Sequence, residues 1–311
     1  MAMQKSPWIW MDGAFVPWDD ANVHVLAHGL HYGFGVFEGI RAYQRADGRS
    51  AVFRLREHMQ RFCDSARIMT LPLAYDVDTL IAAVLETCSK NKLASCYIRP
   101  IAFCGYGALG VGTLDNPTQV AIAAWPWGAY LGEEGLKNGV RIKTSTFSRP
   151  HVNSQLHKGK VSGHYVNSIL AKREALAEGY SEALLLDTNG YVSEATGENV
   201  FAVTGSTLWT APFSGPILSG ITRHTLMTLA KEEGFEVRET MLTRDTLYLA
   251  DEVFMCGTAA ELTPVREIDR RVIGKGSRGP ITERLQARYF DVVKGADDKH
   301  DQWLSFYDLE T

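Results

Sequence analysis

The chain has 311 residues, 45% of them hydrophobic, so it can bury a large core, and its length lies above the usual single-domain range. Its 32 basic and 36 acidic side chains leave a net charge of −4 with no block of one sign, which excludes the electrostatic footprint of a nucleic-acid binder and points to a small-molecule partner. The first ten residues carry one lysine and no apolar run of signal-peptide length, and no later run could span a bilayer, so a soluble, cytoplasmic protein with no membrane partner is expected.

Residues 8–16 read as a hairpin turning at Asp12-Gly13, a dipeptide that readily takes the positive φ angles of a tight turn. From Leu55, apolar residues recur at Met59, Phe62, Ala66 and Met69, and Leu80, Ile81, Val84, Leu85 and Cys88 repeat the spacing, so each set lines one face of a helix. Residues 97–103 and 119–125 are strand candidates, which makes 1–125 a small N-terminal domain with an antiparallel or mixed sheet. The stretch 126–139 holds four glycines and a proline without sustained periodicity and reads as an interdomain loop. A strand is expected at 141–147, then a helix at about 162–178 with Gly179 at its cap. Strands follow at 183–187 and 191–193, joined by the hairpin signal Asn189-Gly190, and a second helix at about 222–233 ends at Gly234. Five cysteines, an odd number with no Cys-x-x-Cys pair, fit free thiols in a reducing compartment.

Two segments carry a chemistry: Lys160-Val161-Ser162-Gly163-His164-Tyr165-Val166-Asn167, and Ser193-Glu194-Ala195-Thr196-Gly197-Glu198-Asn199. A lysine amine can form a Schiff base with an aldehyde, and a carboxylate can hold a pyridine nitrogen protonated, the two needs of pyridoxal phosphate as an electron sink. Further segments are His31-Tyr32-Gly33, Val36-Phe37-Glu38-Gly39-Ile40-Arg41, Arg56-Glu57-His58-Met59-Gln60-Arg61 and Tyr97-Ile98-Arg99-Pro100. Pro126-Trp127-Gly128-Ala129-Tyr130-Leu131-Gly132, Ser219-Gly220-Ile221-Thr222-Arg223 and Gly257-Thr258-Ala259-Ala260-Glu261 complete the set. In this order and spacing they resemble the branched-chain-amino-acid aminotransferases, members of the class IV (fold type IV) pyridoxal-phosphate enzymes, over almost the whole chain. The resemblance implies an α+β, two-domain fold: a small N-terminal α/β domain (1–125), the interdomain loop (126–139), and a larger C-terminal cofactor-binding domain (140–311) with mixed sheets and a barrel-like core.

The same resemblance implies the roles. Lys160 would carry the cofactor pyridoxal 5′-phosphate and move the proton at the substrate α-carbon. Composition alone does not separate it from Lys158; its match with Gly163, Tyr165 and Asn167 to the family pattern does. Glu194 would face the pyridine nitrogen, with Gly197 and the supporting acid Glu198 beside it, and Tyr165 would meet the phenolate oxygen. The helix opening at Ile221-Thr222 offers free amides, a hydroxyl and a positive dipole end to the phosphate, with Gly257-Thr258 as further donors. Arg61 would add the countercharge, chosen over Arg54, Arg56 and Arg67 by the family pattern only. Tyr97 and the amides of Thr258 and Ala259 would take the substrate α-carboxylate, while Phe37, Trp127, Tyr130 and Tyr165 wall an apolar pocket for leucine, isoleucine or valine. Arg99 would receive the distal carboxylate of glutamate, the amino donor whose partner oxo acid is 2-oxoglutarate. Tyr32 and Val111 would enter from a neighbouring subunit, making a homodimer the minimum unit and a homohexamer a further possibility.

Two patterns lead elsewhere. Gly105-Tyr106-Gly107-Ala108-Leu109-Gly110 matches a dinucleotide fingerprint, but residues 111–117 cannot supply the helix that it needs. His24, His28 and His31 share helical spacing, but the glycines at 29, 33 and 35 argue against a helix and no acidic or thiol ligand adjoins, so no metal is expected. His164 and Leu109 depart from the residues usual in the family. The nearest rival activities share the fold: a D-amino-acid or amine transaminase, or an aminodeoxychorismate lyase. Tyr97-Ile98-Arg99 with the 126–130 motif favours the branched-chain reading over all three. A cofactor-free binding protein, a rival of another class, would need no reactive lysine, and an absorbance band near the visible edge would exclude it.

Overall fold

The computed structural model describes residues 3–113, 115–128 and 130–310; Ala129 of the 126–130 motif lies outside them. The chain divides into two units, Met1–Trp127 with Gly159–His164 and Asp291–Thr311, and Gly128–Lys158 with Tyr165–Phe290.

In the first unit β1 (Trp8–Met11) and β2 (Ala14–Pro17) form the expected hairpin, with Asp12 and Gly13 both at positive φ. After a one-turn helix α1 (His28–Tyr32) come β3 (Gly35–Phe37), β4 (Ile40–Gln44) and β5 (Ser50–Phe53), then helices α2 (Leu55–Ile68) and α3 (Val77–Lys90), then β6 (Cys96–Cys104) and β7 (Thr118–Trp125). With the C-terminal strand Leu304–Tyr307 they make an antiparallel sheet ordered C-terminal strand, β5, β4, β6, β7, β1, β2, with β3 also beside β6. α2 and α3 bury the stripes read from the sequence, Leu55, Met59, Phe62 and Ala66 on one and Leu80, Val84 and Cys88 on the other, in a core shared with Ile40, Val52, Ile98 and Ile122. The Asp76 carboxylate caps α3 by accepting from the Thr79 amide at 2.8 Å.

The second unit holds a mixed sheet of β8 (Val140–Thr144), β9 (Glu182–Leu186), β10 (Val192–Ala195), β11 (Asn199–Thr204), β12 (Thr207–Thr210), β13 (Glu236–Glu239), β14 (Glu252–Gly257), β15 (Glu261–Ile268) and β16 (Arg271–Val272). Its order is β10, β9, β8, β15, β14, β11, β12, β13, with β16 on β15; β8 runs parallel to both neighbours and β12 parallel to β13. Helices α4 (Glu133–Asn138), α5 (Tyr165–Ala177), α6 (Ile221–Glu232), α7 (Arg244–Tyr248) and α8 (Pro280–Lys294) accompany it. Gly179 and Gly234 follow α5 and α6 at positive φ, as their spacing predicts.

Four expectations change. Residues 159–164 and 291–311 belong with the first unit, because the Phe37 amide donates to the Lys160 carbonyl at 3.0 Å, Val36 bridges Val161, and the C-terminal strand pairs with β5. The presumed loop contains α4: Gly132 and Gly139, both at positive φ, bracket it, while Glu133 and Glu134 complement the dipole at its start. The strand expected at 141–147 ends at Thr144, whose amide and hydroxyl are both taken by the Asp269 carboxylate at 2.6 Å. The glycines near His28 and His31 do not prevent a helix; Gly33, at φ 67°, ends one that had just formed, and His24 lies outside it.

Candidate active site

The segment bearing Lys160 is fixed at its backbone. Its amide donates to Ser65 Oγ at 2.9 Å, its carbonyl accepts from Phe37, and three residues later the Gly163 amide donates to the Gly33 carbonyl at 3.0 Å. Gly33 and Gly163 pass so closely that a Cβ on Gly33 would lie 2.8 Å from the Gly163 Cα, a contact no side chain could tolerate. Lys160 itself is half-buried, with Nζ 5.0 Å from the centre of the Phe37 ring.

Behind Phe37 lies a buried ionic group. Glu38, wholly buried, accepts from Arg61 Nε at 2.7 Å and Nη2 at 2.8 Å, and its Oε2 lies 2.8 Å from His58 Nδ1. Burial alone would push the Glu38 carboxyl up, but the charge and hydrogen bonds of Arg61 and His58 outweigh it and hold the group well below the usual carboxylate range. Burial pushes the His58 ring down, against the opposing pull of Glu38. Glu38 stands in the Val36–Arg41 motif, yet no local pattern announces partners twenty and more residues away.

On β6 the alternation of side chains puts Tyr97 and Arg99 on one face. Arg99 Nη2 donates to Tyr97 Oη at 3.2 Å, and the guanidinium lies 4.8 Å from the Phe37 ring centre. Its Nε is buried with no hydrogen-bond partner among the described residues. Trp127 packs edge-on to Tyr97 at 4.5 Å, and Gly39 makes room for that tyrosine, since a Cβ there would meet its hydroxyl at 2.1 Å. Tyr32 and Val111, by contrast, are exposed in this unit, Val111 by 94%.

In the second unit Glu194 sits on β10 just past an irregularity in its pairing with β9, and is buried. Its Oε1 lies 3.0 Å from Arg149 Nε as an ion pair rather than an aligned hydrogen bond, and its Oε2 accepts from the Leu218 amide at 3.0 Å and Asn199 Nδ2 at 3.4 Å. Arg149 is anchored by its other nitrogens to Asn167, Ser168 and the carbonyls of Ala195 and Thr196. Arg149 carries no motif that sequence reading could use; Asn199 lay in the 193–199 segment and drew no role.

Glu198 is buried beside Glu182, which already accepts from Lys172 Nζ and Thr196 Oγ1; burial first, then repulsion from Glu182, push the Glu198 carboxyl up to about 8. The exposed Gly197 donates its amide to Glu198 Oε2 at 3.0 Å.

Donors for an anion also gather in this unit. α6 opens at Ile221 with Thr222 buried in its first turn, and Gly220 ahead of it leaves space for the Asn199 side chain, which a Cβ would strike at 2.0 Å. Gly257 ends β14 next to the Gly197 carbonyl, and Thr258 and Ala259 lie half-buried in the short link to β15. Tyr165 opens α5, half-buried, and Tyr130 lies 5.4 Å from Lys172 Nζ.

Lys158 separates from Lys160 by its surroundings. Its Nζ donates to the carbonyls of Gly215 and Ile217, both at 3.1 Å, and stacks 4.5 Å from Phe213, while burial lowers its pKa. It ties down the loop whose Leu218 amide reaches Glu194. Of the misleading patterns, Tyr106 bridges Ala27 and Gly107 packs against Asn116, so the glycine-rich stretch is a turn held by its neighbours. His28 and His31 bond the carbonyls of Gly110 and Val25.

Comparisons with known proteins agree on one family. The family model described as amino-transferase class IV matches residues 35–268. The chain is 48% identical over 295 residues to the branched-chain-amino-acid aminotransferase of Pseudomonas aeruginosa, 95% of each chain. Its fold matches the crystal structure of the Escherichia coli branched-chain amino acid aminotransferase, at TM-score 0.94 and 47% identity over 97% of this chain and 99% of that one. It matches equally, at TM-score 0.94 and 49% identity over the same shares, a crystal structure of the T.th. branched-chain amino acid aminotransferase with pyridoxamine 5′-phosphate.

Proposed function

Because the chain belongs to the class IV aminotransferase family, we propose that it is a branched-chain-amino-acid transaminase, moving an amino group reversibly between leucine, isoleucine or valine and 2-oxoglutarate. The observation that carries the substrate reading is Arg99: a guanidinium between Phe37 and Tyr97, with one buried N–H donor lacking a hydrogen-bond partner among the described residues. Such a group gives an aromatic, apolar wall one cation, which suits a pocket that must take a branched side chain and, in the other half-reaction, the distal carboxylate of glutamate.

The side chains present fit pyridoxal 5′-phosphate. Glu194, buried on a guanidinium and two N–H donors, is a fixed anion of the kind that keeps a pyridine nitrogen protonated; the α6 amides and Thr222 suit a phosphate. When bound, the cofactor supplies the electron sink. Lys160 would hold the cofactor through its amine and, once the substrate amine has displaced it, would move the proton at the substrate α-carbon; its backbone is held still by Ser65 and Phe37. Arg61, Ile221, Thr222, Gly257 and Thr258 would receive the phosphate, Tyr165 would meet the phenolate oxygen, and Gly197 and Glu198 would support the ring. Tyr97 and the amides of Thr258 and Ala259 orient the substrate α-carboxylate; Phe37, Trp127, Tyr130 and Tyr165 exclude water from its side chain. The exposure of Tyr32 and Val111 supports their insertion into a neighbouring copy, in a homodimer or homohexamer. Five free thiols suit the cytoplasm, and no helix among the described residues is long and apolar enough to cross a membrane.

Single-turnover absorbance of the protein with L-leucine, L-glutamate, D-alanine and a chiral amine tests the reading. Conversion by leucine and glutamate alone is expected; conversion by D-alanine or the amine instead moves the activity to a sister enzyme. Lys160→Ala should lower turnover by roughly 10²–10⁴-fold or more, and normal turnover in that variant would refute the assignment. Arg99→Ala should harm the glutamate half-reaction more than the leucine one.

A further inference from the structure

We propose that Glu38 is the positioning residue that orients Arg61 toward the phosphate group of the cofactor, with His58 locking Glu38 in place. The inference rests on the reading of Arg61 as a phosphate anchor and goes beyond it to what aims that anchor.

A free arginine is a poor anchor, because its long side chain must lose rotamer freedom when an anion arrives. Here two of the five N–H donors of Arg61 are already taken by the two oxygens of one wholly buried carboxylate, at 2.7 and 2.8 Å. That fork-to-fork pairing sets the plane of the guanidinium, not merely its distance. Glu38 is immobile in turn: His58, one turn earlier on α2, holds Oε2 at 2.8 Å, and the Gly39 amide donates to the same oxygen at 3.3 Å.

The same helix face continues to Ser65, whose Oγ donates to the Arg61 carbonyl at 2.7 Å and accepts from the Lys160 amide. Glu38 also follows directly on Phe37, whose amide holds the Lys160 carbonyl. The residue that aims Arg61 and the backbone that carries Lys160 are thus parts of one hydrogen-bonded assembly.

Two consequences of neutralising Glu38 oppose each other. Its removal adds net positive charge near Arg61, which by Coulomb attraction alone would tighten binding of a phosphate dianion. It also frees the guanidinium to rotate, and since phosphate recognition by arginine depends on direction, the positioning role requires this loss to dominate.

The test compares pyridoxal 5′-phosphate with pyridoxal, which lacks the phosphate, by absorbance titration of cofactor-stripped full-length protein. Glu38→Gln should weaken pyridoxal 5′-phosphate about tenfold or more while leaving pyridoxal within about twofold. Equal weakening of both ligands, which a merely structural role would give, overturns the inference, and so does unchanged or tighter binding of the phosphorylated one. Should Glu38→Gln not fold, Glu38→Asp, which keeps the charge but withdraws it by one methylene, is read by the same criterion. Arg61→Ala is the control. If it lowers the preference for the phosphorylated ligand and the Glu38 variants do not, only the inference falls; if it leaves that preference intact, the reading of Arg61 falls and takes the inference with it.

Discussion

Glu38 in the first unit and Glu198 in the second are both buried glutamates, yet they settle on opposite charge states. Glu38 meets a bidentate guanidinium and an imidazole and is held well below the usual carboxylate range; Glu198 meets one backbone amide and a second carboxylate, Glu182, and is pushed up to about 8. The lesson is that burial fixes how much a charge matters, while the partner fixes its sign. Around Glu198 the nearby cation Lys172 is already paired with Glu182, and Glu194 adds a further repulsive charge. Three carboxylates share that region, and Glu198, pushed up by burial and by its neighbours, is the one with the poorest partners.

The largest effect should come from breaking the better-paired site. Glu38→Gln leaves Arg61 without its counterion and His58 without its carboxylate partner, and should cost roughly 3 kcal/mol in urea denaturation at neutral pH; a loss below about 1 kcal/mol would show that the pairing is no stronger than a surface one. The two residues should also leave opposite marks on stability against pH. For Glu38, whose folded pKa lies below the unfolded value near 4.5, the contribution is present above that pH and is lost as pH falls below it. For Glu198, whose folded pKa lies above the unfolded one, the contribution is complete below about 4.5 and is lost as pH rises toward about 8. Glu198→Gln should therefore flatten the decline between those values and gain on the order of 1 kcal/mol over the parent at pH 8; a parallel decline in both proteins would place the proton elsewhere. The smallest effect sharpens the comparison. Lys158 bonds two carbonyls and no carboxylate, so Lys158→Met should cost about 1 kcal/mol at neutral pH and leave the Glu198 decline unchanged.

What sequence reading could reach follows the same division between local and distant causes. The turn at Asp12-Gly13 and the stripes of α2 and α3 are written in neighbouring residues, and each lies where its spacing puts it. β5 and β11 are buried along almost their whole length, so they lack the alternation by which a half-exposed strand is recognised. α4 hides among glycines that mark its ends as readily as they would mark a loop. At the site, Lys160, Glu194 and Thr222 stand in recognisable segments. Arg149, which lies 45 residues before its partner Glu194, depends on a meeting that only the folded chain brings about.

The C-terminal strand has a consequence for how the protein is made. Leu304–Tyr307 closes one edge of the first unit's sheet, pairing Leu304 with Phe53 and Phe306 with Ala51, and the Tyr307 hydroxyl donates to the Leu93 carbonyl at 2.5 Å. During synthesis β5 emerges early, but its outer neighbour leaves the ribosome only after the whole second unit, so for most of translation a buried, apolar strand presents an open edge. A nascent chain stalled before Leu304 would keep that edge exposed, and aggregation through β5 is the failure to watch for in truncated or slowly translated forms.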